Sequence, residues 1–260
     1  MKINQSFCYP LFKTAEMSLD ELCRQGARIG FAGIELWFRD ADFDGLCAAA
    51  SAHGLVVASM CGHQSLKDGL NRRDQHDRIE AELRESIEVA TRRKIPNLIC
   101  FSGNRNPGQS EEEALETCAA GLRRVAPEAE RCGINLNIEL LNSKVDHKGY
   151  QCDHTAWGVD LCTRVKSPRV KLLYDIYHMQ IMEGDVIRTI RQHAAHIGHY
   201  HTAGNPGRND LDRDQELNYP AICRAIAASG HTGYVAHEFT PKGDRMAALA
   251  EAFKICSVTA

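Results

Sequence analysis

One rhythm runs through this 260-residue chain from end to end. A short apolar or β-branched run gives way to a longer, charged, amphipathic segment, then to Gly or Asn, then to the next run. Short apolar runs bounded by turn residues read as buried strands, and segments with apolar residues three and four apart read as helices. Strands are predicted at Ile3–Tyr9, Gly33–Phe38, Leu55–Cys61, Asn97–Ser102, Asn135–Leu141, Val170–Tyr177, His196–Thr202 and Gly233–Phe239. Parallel strands need a crossover of a dozen or more residues, usually a helix, and eight units here average about 32 residues each. Eight alternations without a break in composition point to a closed (β/α)8 TIM barrel, drawn as a single α/β domain over residues 1–260. A doubly wound open sheet usually carries a glycine-rich phosphate loop after its first strand, where this chain has Ser6-Phe-Cys-Tyr-Pro10.

The junctions agree with that reading. Gly30, Gly54, Gly133 and Gly230 each stand just past a helical segment, where a left-handed cap is needed. Ser18 with Glu21 has the spacing of a capping box, and Ser110-Glu-Glu-Glu113 opens another helix with acids at the positive end of its dipole. His76–Lys94 carries Ile79, Leu83, Ile87 and Ala90 at helical spacing. Pro127 interrupts a helical pattern and predicts one kinked helix or two short ones.

Charge and cysteine usage narrow the partners. Lys plus Arg number 31 and Asp plus Glu 34, a formal charge of −3. Sequence-independent nucleic-acid binding needs a basic footprint, so none is expected. No apolar run approaches the roughly 18 residues that cross a bilayer, and the first residues lack a secretory pattern. The 11 cysteines are scattered, with no C-x-x-C pair. A soluble cytoplasmic protein acting on a small molecule is expected, with a homo-oligomer left open.

The chemistry gathers on the last four strands. Asn135-Leu-Asn-Ile-Glu139 and Lys171-Leu-Leu-Tyr-Asp175 end in carboxylates, Ile197-Gly-His-Tyr-His201 in an imidazole, and Tyr234-Val-Ala-His-Glu238 in a carboxylate. Taken singly, an acid at a strand end is more often a helix cap or a surface ion pair. Four such groups on consecutive strands would converge at the C-terminal mouth of the barrel, where active sites of this architecture lie. Burying them unpaired would be very costly. The set Glu139, Asp175, His201 and Glu238 is rich in oxygen with one nitrogen. It suits Mn²⁺ or Mg²⁺ first, with Co²⁺ and Zn²⁺ compatible.

The segments Glu139-Leu-Leu-Asn142, Tyr174-Asp-Ile-Tyr-His178-Met-Gln-Ile-Met-Glu-Gly-Asp185, Gly204-Asn-Pro-Gly-Arg208, Glu216-Leu-Asn-Tyr-Pro220 and His237-Glu238-Phe239 resemble the hydroxypyruvate isomerase branch of the xylose-isomerase-like barrels. The resemblance covers nearly the whole chain and is densest from Glu139 onward. It implies a metal-dependent aldose–ketose type isomerase. Glu139, Asp175, His201 and Glu238 would be its ligands, and Glu139 and Glu238 its acid–base pair. The branch often has Gln where this chain has His201; the related ketose 3-epimerases have His there. Those epimerases tend to carry a Glu six residues after the first ligand, where this chain has Val145.

Hydroxypyruvate and 2-hydroxy-3-oxopropanoate, interconverted through an enediolate, are thus the expected substrates. A ketose 3-epimerase with the same ion and glutamate pair is the alternative. An apurinic-site endonuclease and a non-catalytic sugar-binding barrel stand further off. Substrate contacts are expected from His178, three residues past Asp175, from Arg208 in its Gly/Pro-rich turn, and from His63 just after the third strand. His199 shares a face with His201 and should pack lower in the barrel. Trp37 and Phe38 could wall a small pocket.

Overall fold

The computed structural model describes residues 3–258; residues 1–2 and 259–260 lie outside it. Its eight strands are β1 Asn4–Phe7, β2 Gly33–Glu35, β3 Val56–Cys61, β4 Asn97–Cys100, β5 Asn135–Glu139, β6 Val170–Asp175, β7 Ile197–Thr202 and β8 Tyr234–His237. Each lies within a predicted run. All pairings are parallel, in the order β1-β8-β7-β6-β5-β4-β3-β2. The last seam, between β1 and β2, is closed by the Ala32 amide donating to Gln5 O at 2.9 Å and by an isolated parallel bridge from Cys8 to Glu35. The chain is therefore a (β/α)8 barrel.

At least one helix follows every strand. Leu98, Leu136, Ile138 and Leu172 of the strands are fully buried in one core with Leu83, Ile87 and Leu161 of the helices. Apolar side chains removed from water between strand and helix layers are the main stabilising term in such an architecture. Gly30 caps Leu19–Ile29 at φ 117°, a conformation that disfavours any side chain. Around Pro127 the chain forms two helices, Glu111–Arg123 and Ala126–Cys132, with the proline in the first turn of the second. There its missing N–H costs no hydrogen bond.

The Ser110 capping box is complete: Ser110 Oγ accepts from the Glu113 amide and Glu113 accepts from the Ser110 amide. The Ser18 box is only half formed. Ser18 Oγ accepts from the Glu21 amide, but Arg24 and Gln25 draw the Glu21 carboxylate away. The second strand is also shorter than expected. Its register shifts between Ile34 and Glu35 and the regular ladder ends there, although the Leu36 amide still donates to Ser59 O and the Cys61 amide to Trp37 O, so that Phe38 lies in the following loop. Among the described residues no helix is long and apolar enough to cross a membrane.

Candidate active site

Strand ends bring the four predicted groups together. Glu139 and Asp175 are the last residues of β5 and β6, His201 the penultimate residue of β7, and Glu238 directly follows β8. Each offers a ligand atom within 4.8 Å of the others, and all four are buried. His201 Nδ1 lies 3.2 Å from Glu238 Oε2, 3.6 Å from Glu139 Oε1 and 3.9 Å from Asp175 Oδ2.

The charges in this cluster are unbalanced. Burial pushes the Glu139 carboxyl up, and repulsion from Glu238 and Asp175 adds to it against the pull of His201. Burial likewise raises Asp175, with Arg208 and His201 offsetting only part. For Glu238 burial acts upward too, but Arg208, His201 and the Trp37 indole outweigh it and hold the carboxyl well below its usual range. The imidazole of His201 is pushed down by burial, yet Glu238, Glu139 and Glu35 carry it well above its usual value. Two raised carboxyls and one raised imidazole mark a pocket short of positive charge. Three carboxylate oxygen donors and one imidazole nitrogen are the donor set that a divalent cation would satisfy.

Beside the cluster lies a cavity of about 180 Å³. Glu139, Glu238, Arg208 and His147 supply its polar wall; Trp37, Phe38, Leu66, Ile99, Phe101 and Leu141 supply most of the rest. The Trp37 indole N–H donates to Glu238 Oε1 at 2.7 Å. Arg208 has left-handed backbone at φ 55°, donates to Glu238 Oε2 and lies over the Tyr177 ring at 5.9 Å. Its charge thus stands at the cavity wall, where the sequence placed it.

His178 is fully buried beside the cluster. Its amide donates to Asp175 Oδ1 at 3.0 Å, which makes Asp175 the cap of helix Ile176–Met182. Asn142 Nδ2 donates to its Nδ1 at 2.6 Å, while Asn142 Oδ1 accepts from the Val145 and Asp146 amides. Burial holds the ring neutral, well below its usual pKa, so the proton sits on Nε2. That atom has no hydrogen-bond partner and lies 3.8 Å from Asp175 Oδ2.

His63 takes a different place. It is buried, accepts from the Phe101 amide through Nε2 at 2.9 Å and meets the Phe101 ring edge-on at 5.5 Å. It is not among the residues that line the cavity, and Phe101 is. The contact expected of His63 is thus made to backbone.

Sequence reasoning passed over two residues. Glu35 ends β2, 1% exposed, with Oε1 3.0 Å from His199 Nε2 and Oε2 3.3 Å from His201 Nε2. Burial opposes its ionisation, but the two histidines lower its pKa to about 2. Its signal was an apolar run ending in a carboxylate, the pattern that marked Glu139. His199 lies below His201 on the same face, as expected from period two. The other residue, His147, stands in the loop after β5 and meets the His178 ring at 5.2 Å; no spacing rule points to it.

Comparison with known proteins agrees with the fold. The Escherichia coli (strain K12) hydroxypyruvate isomerase is 33% identical over 174 residues, 65% of this chain and 67% of that one. The 2-oxo-tetronate isomerase of Pectobacterium atrosepticum is 28% identical over 170 residues, so the chain spans 64% of its length. A crystal structure described as an AP endonuclease, family 2, from Brucella melitensis superposes with a TM-score of 0.80 at 26% identity, over 96% of this chain and 98% of that one. The family model described as xylose isomerase-like TIM barrel matches residues 23–256, and the chain belongs to that family.

Proposed function

We propose that the chain is a metal-dependent isomerase of short hydroxy-keto acids, interconverting hydroxypyruvate and 2-hydroxy-3-oxopropanoate or a close homologue. The observation that carries this reading is the meeting of Glu139, Asp175, His201 and Glu238 within 4.8 Å, with both glutamates facing one small cavity. The names of the two isomerase relatives support the substrate class.

Glu139, Asp175, His201 and Glu238 would hold the ion. A divalent cation there supplies Lewis-acid stabilisation of the negative charge that develops on substrate oxygens. A proton on carbon beside a carbonyl is too weakly acidic for a free carboxylate to remove unaided. One glutamate takes the proton from C3, and the other returns a proton to C2. The hydroxyl proton passes between the neighbouring oxygens, so the product differs from the substrate only in which carbon carries the carbonyl. The neutral Nε2–H of His178, which stands beside Asp175 and is not part of the cavity wall, would meet a substrate oxygen held at the cluster, and the Arg208 guanidinium can clamp a carboxylate.

Substrate length follows from the wall. Trp37, Phe38, Leu66, Ile99, Phe101 and Leu141 offer no side-chain partner for distal hydroxyls except the Trp37 N–H, which Glu238 already holds. A hexulose would leave its distal hydroxyls unpaired against them, a cost of about 1–3 kcal/mol for each buried group. This favours the isomerase over a ketose 3-epimerase.

The test is a substrate screen with added Mn²⁺, Mg²⁺ or Co²⁺ against an EDTA-treated control. Metal-dependent loss of hydroxypyruvate is expected, reversed by EDTA. Protein without metal or turnover would favour a binding barrel, and cleavage of abasic DNA a nuclease. Glu139→Gln and Glu238→Gln should each abolish turnover. Near wild-type activity in either purified variant would remove that glutamate from the acid–base pair.

A further inference from the structure

Glu35 lies at the Nε2 edge of the His201 ring, and the three other carboxylates lie at the Nδ1 edge. Its Oε1 accepts from Ser6 Oγ at 2.5 Å and lies 3.0 Å from His199 Nε2. Its Oε2 lies 3.3 Å from His201 Nε2. Two hydrogen-bonding groups, the Ser6 hydroxyl and the His201 ring, therefore meet one buried carboxylate, with the His199 ring beside them. The contact with His201 joins β2 to β7, strands that are not neighbours in the sheet, so it crosses the barrel interior.

An imidazole that binds a cation carries a single proton, on the nitrogen away from the ion, and only the bare nitrogen can ligate. With the proton on Nε2, Nδ1 presents its lone pair to the cluster of Glu139, Asp175 and Glu238. With the proton on Nδ1, that lone pair is lost. An ionised carboxylate accepts and never donates, so Glu35 selects the first arrangement. It also fixes the ring plane.

We propose that Glu35 is a positioning residue: it holds His201 in the tautomer whose Nδ1 is free to bind a divalent cation, and so sets the cation affinity of the centre. This rests on the cation reading given above. A rival account exists, because Cys8, Glu35 and His201 also offer ligand atoms within 4.8 Å of one another and could hold a second ion. Such an ion would have to displace the Ser6 hydroxyl and the His201 ring, which already bond the two Glu35 oxygens.

The experiment is Mn²⁺ binding, followed by calorimetry and by the spin resonance of free ion, on the full chain and four variants. The unmodified chain and Ser86→Ala, which removes the buried bond to Gly62 O, should bind one ion with the same affinity. Glu35→Gln keeps the side-chain shape but offers an N–H, and should weaken binding about 10–100-fold. Asp175→Asn should also lose affinity, which places the ion in this centre. Equal affinity in the unmodified chain and Glu35→Gln overturns the positioning role and leaves the cation reading intact. A loss in Ser86→Ala as large as in Glu35→Gln also overturns it, since general loosening would then explain both.

No binding by the unmodified chain removes the cation reading, and this inference with it. Two ions per chain, one lost in Cys8→Ser, favours the rival. A measurement that needs no variant is the ¹⁵N spectrum of histidine-labelled protein with Mg²⁺. The proton of His201 is expected on Nε2; a proton on Nδ1 refutes the assignment whether or not Glu35→Gln folds.

Discussion

His63→Gln should make the chain less sensitive to acid. Burial, helped by the charge of Arg78, lowers the His63 pKa to about 3 in the fold. In the unfolded chain it returns to about 6.5. Below pH 6.5 the unfolded chain therefore binds a proton that the folded chain refuses, and stability falls as the pH falls. Above pH 6.5 both states are neutral and the contribution is fully present. The slope for one such group is about 1.4 kcal/mol per pH unit between the two values. At pH 4.5 His63 alone should thus cost about 3 kcal/mol relative to pH 7.5. Glutamine keeps an oxygen that can accept from the Phe101 amide, now met by His63 Nε2 at 2.9 Å, and it has no proton to gain. Urea unfolding of both proteins at pH 7.5, 6.5, 5.5 and 4.5 gives the difference directly. The gap should be flat above 6.5 and should close, then reverse, below it. Two stability curves that stay parallel down to pH 4.5 would show that His63 is not held neutral. That result would reopen the substrate role its sequence position invites.

Three further substitutions probe other parts of the argument. Trp37→Phe keeps the aromatic wall but removes the 2.7 Å hydrogen bond to Glu238. A bond to a charged group contributes about 1.5–3 kcal/mol, so kcat/KM should fall about 10–100-fold, and a change under twofold refutes the contact. His147→Leu leaves the cluster untouched but removes a polar group from the cavity wall. KM for a keto acid should rise with little change in kcat; the reverse split would place His147 in the chemistry. In Gly69→Ala the new Cβ would stand 2.3 Å from Gly103 N and 2.5 Å from Ser102 C, both backbone atoms. Neither can rotate away, so a loss of about 1–3 kcal/mol is expected in a denaturant melt, and an unchanged midpoint would mean the two loops can part.

The four ligand candidates were legible because each closes an apolar run, and a strand gives its last side chain one direction only. The eight strands were legible for the same reason, through runs bounded by Gly and Asn. Glu35 carried that signal but was hidden by the apolar residues after it. Leu36, Trp37 and Phe38 extend the run, so the carboxylate seemed to lie mid-strand, and the register shift that ends the strand at Glu35 has no local cause in the sequence. His63 failed in the opposite way. Its position after β3 was right, but the backbone amide of Phe101, 38 residues later, captures its ring. The half-formed Ser18 box shows the same limit at short range. Spacing names a partner for Glu21, and an arginine three residues on competes for it.

The late strands carry the reactive groups, but the early strands hold them in place. Glu35, bonded by Ser6, meets the His201 edge, and Trp37 meets Glu238, across 166 and 201 residues of chain for the contacts Glu35–His201 and Trp37–Glu238. These contacts exist only when β1 pairs with β8 and β2 with β1. The second pairing is slender, resting on the Ala32 amide and on the bridge between Cys8 and Glu35 itself. Glu35 thus belongs both to the closing seam and to the support of His201. A barrel open at that seam would still own Glu139, Asp175, His201 and Glu238 on consecutive strands, yet His201 would be free to turn and Glu238 would lose its indole donor. Closure of the fold and order in the centre are therefore one event. An isolated half carrying β5 to β8 would hold every ligand and still lack the geometry that makes them a site.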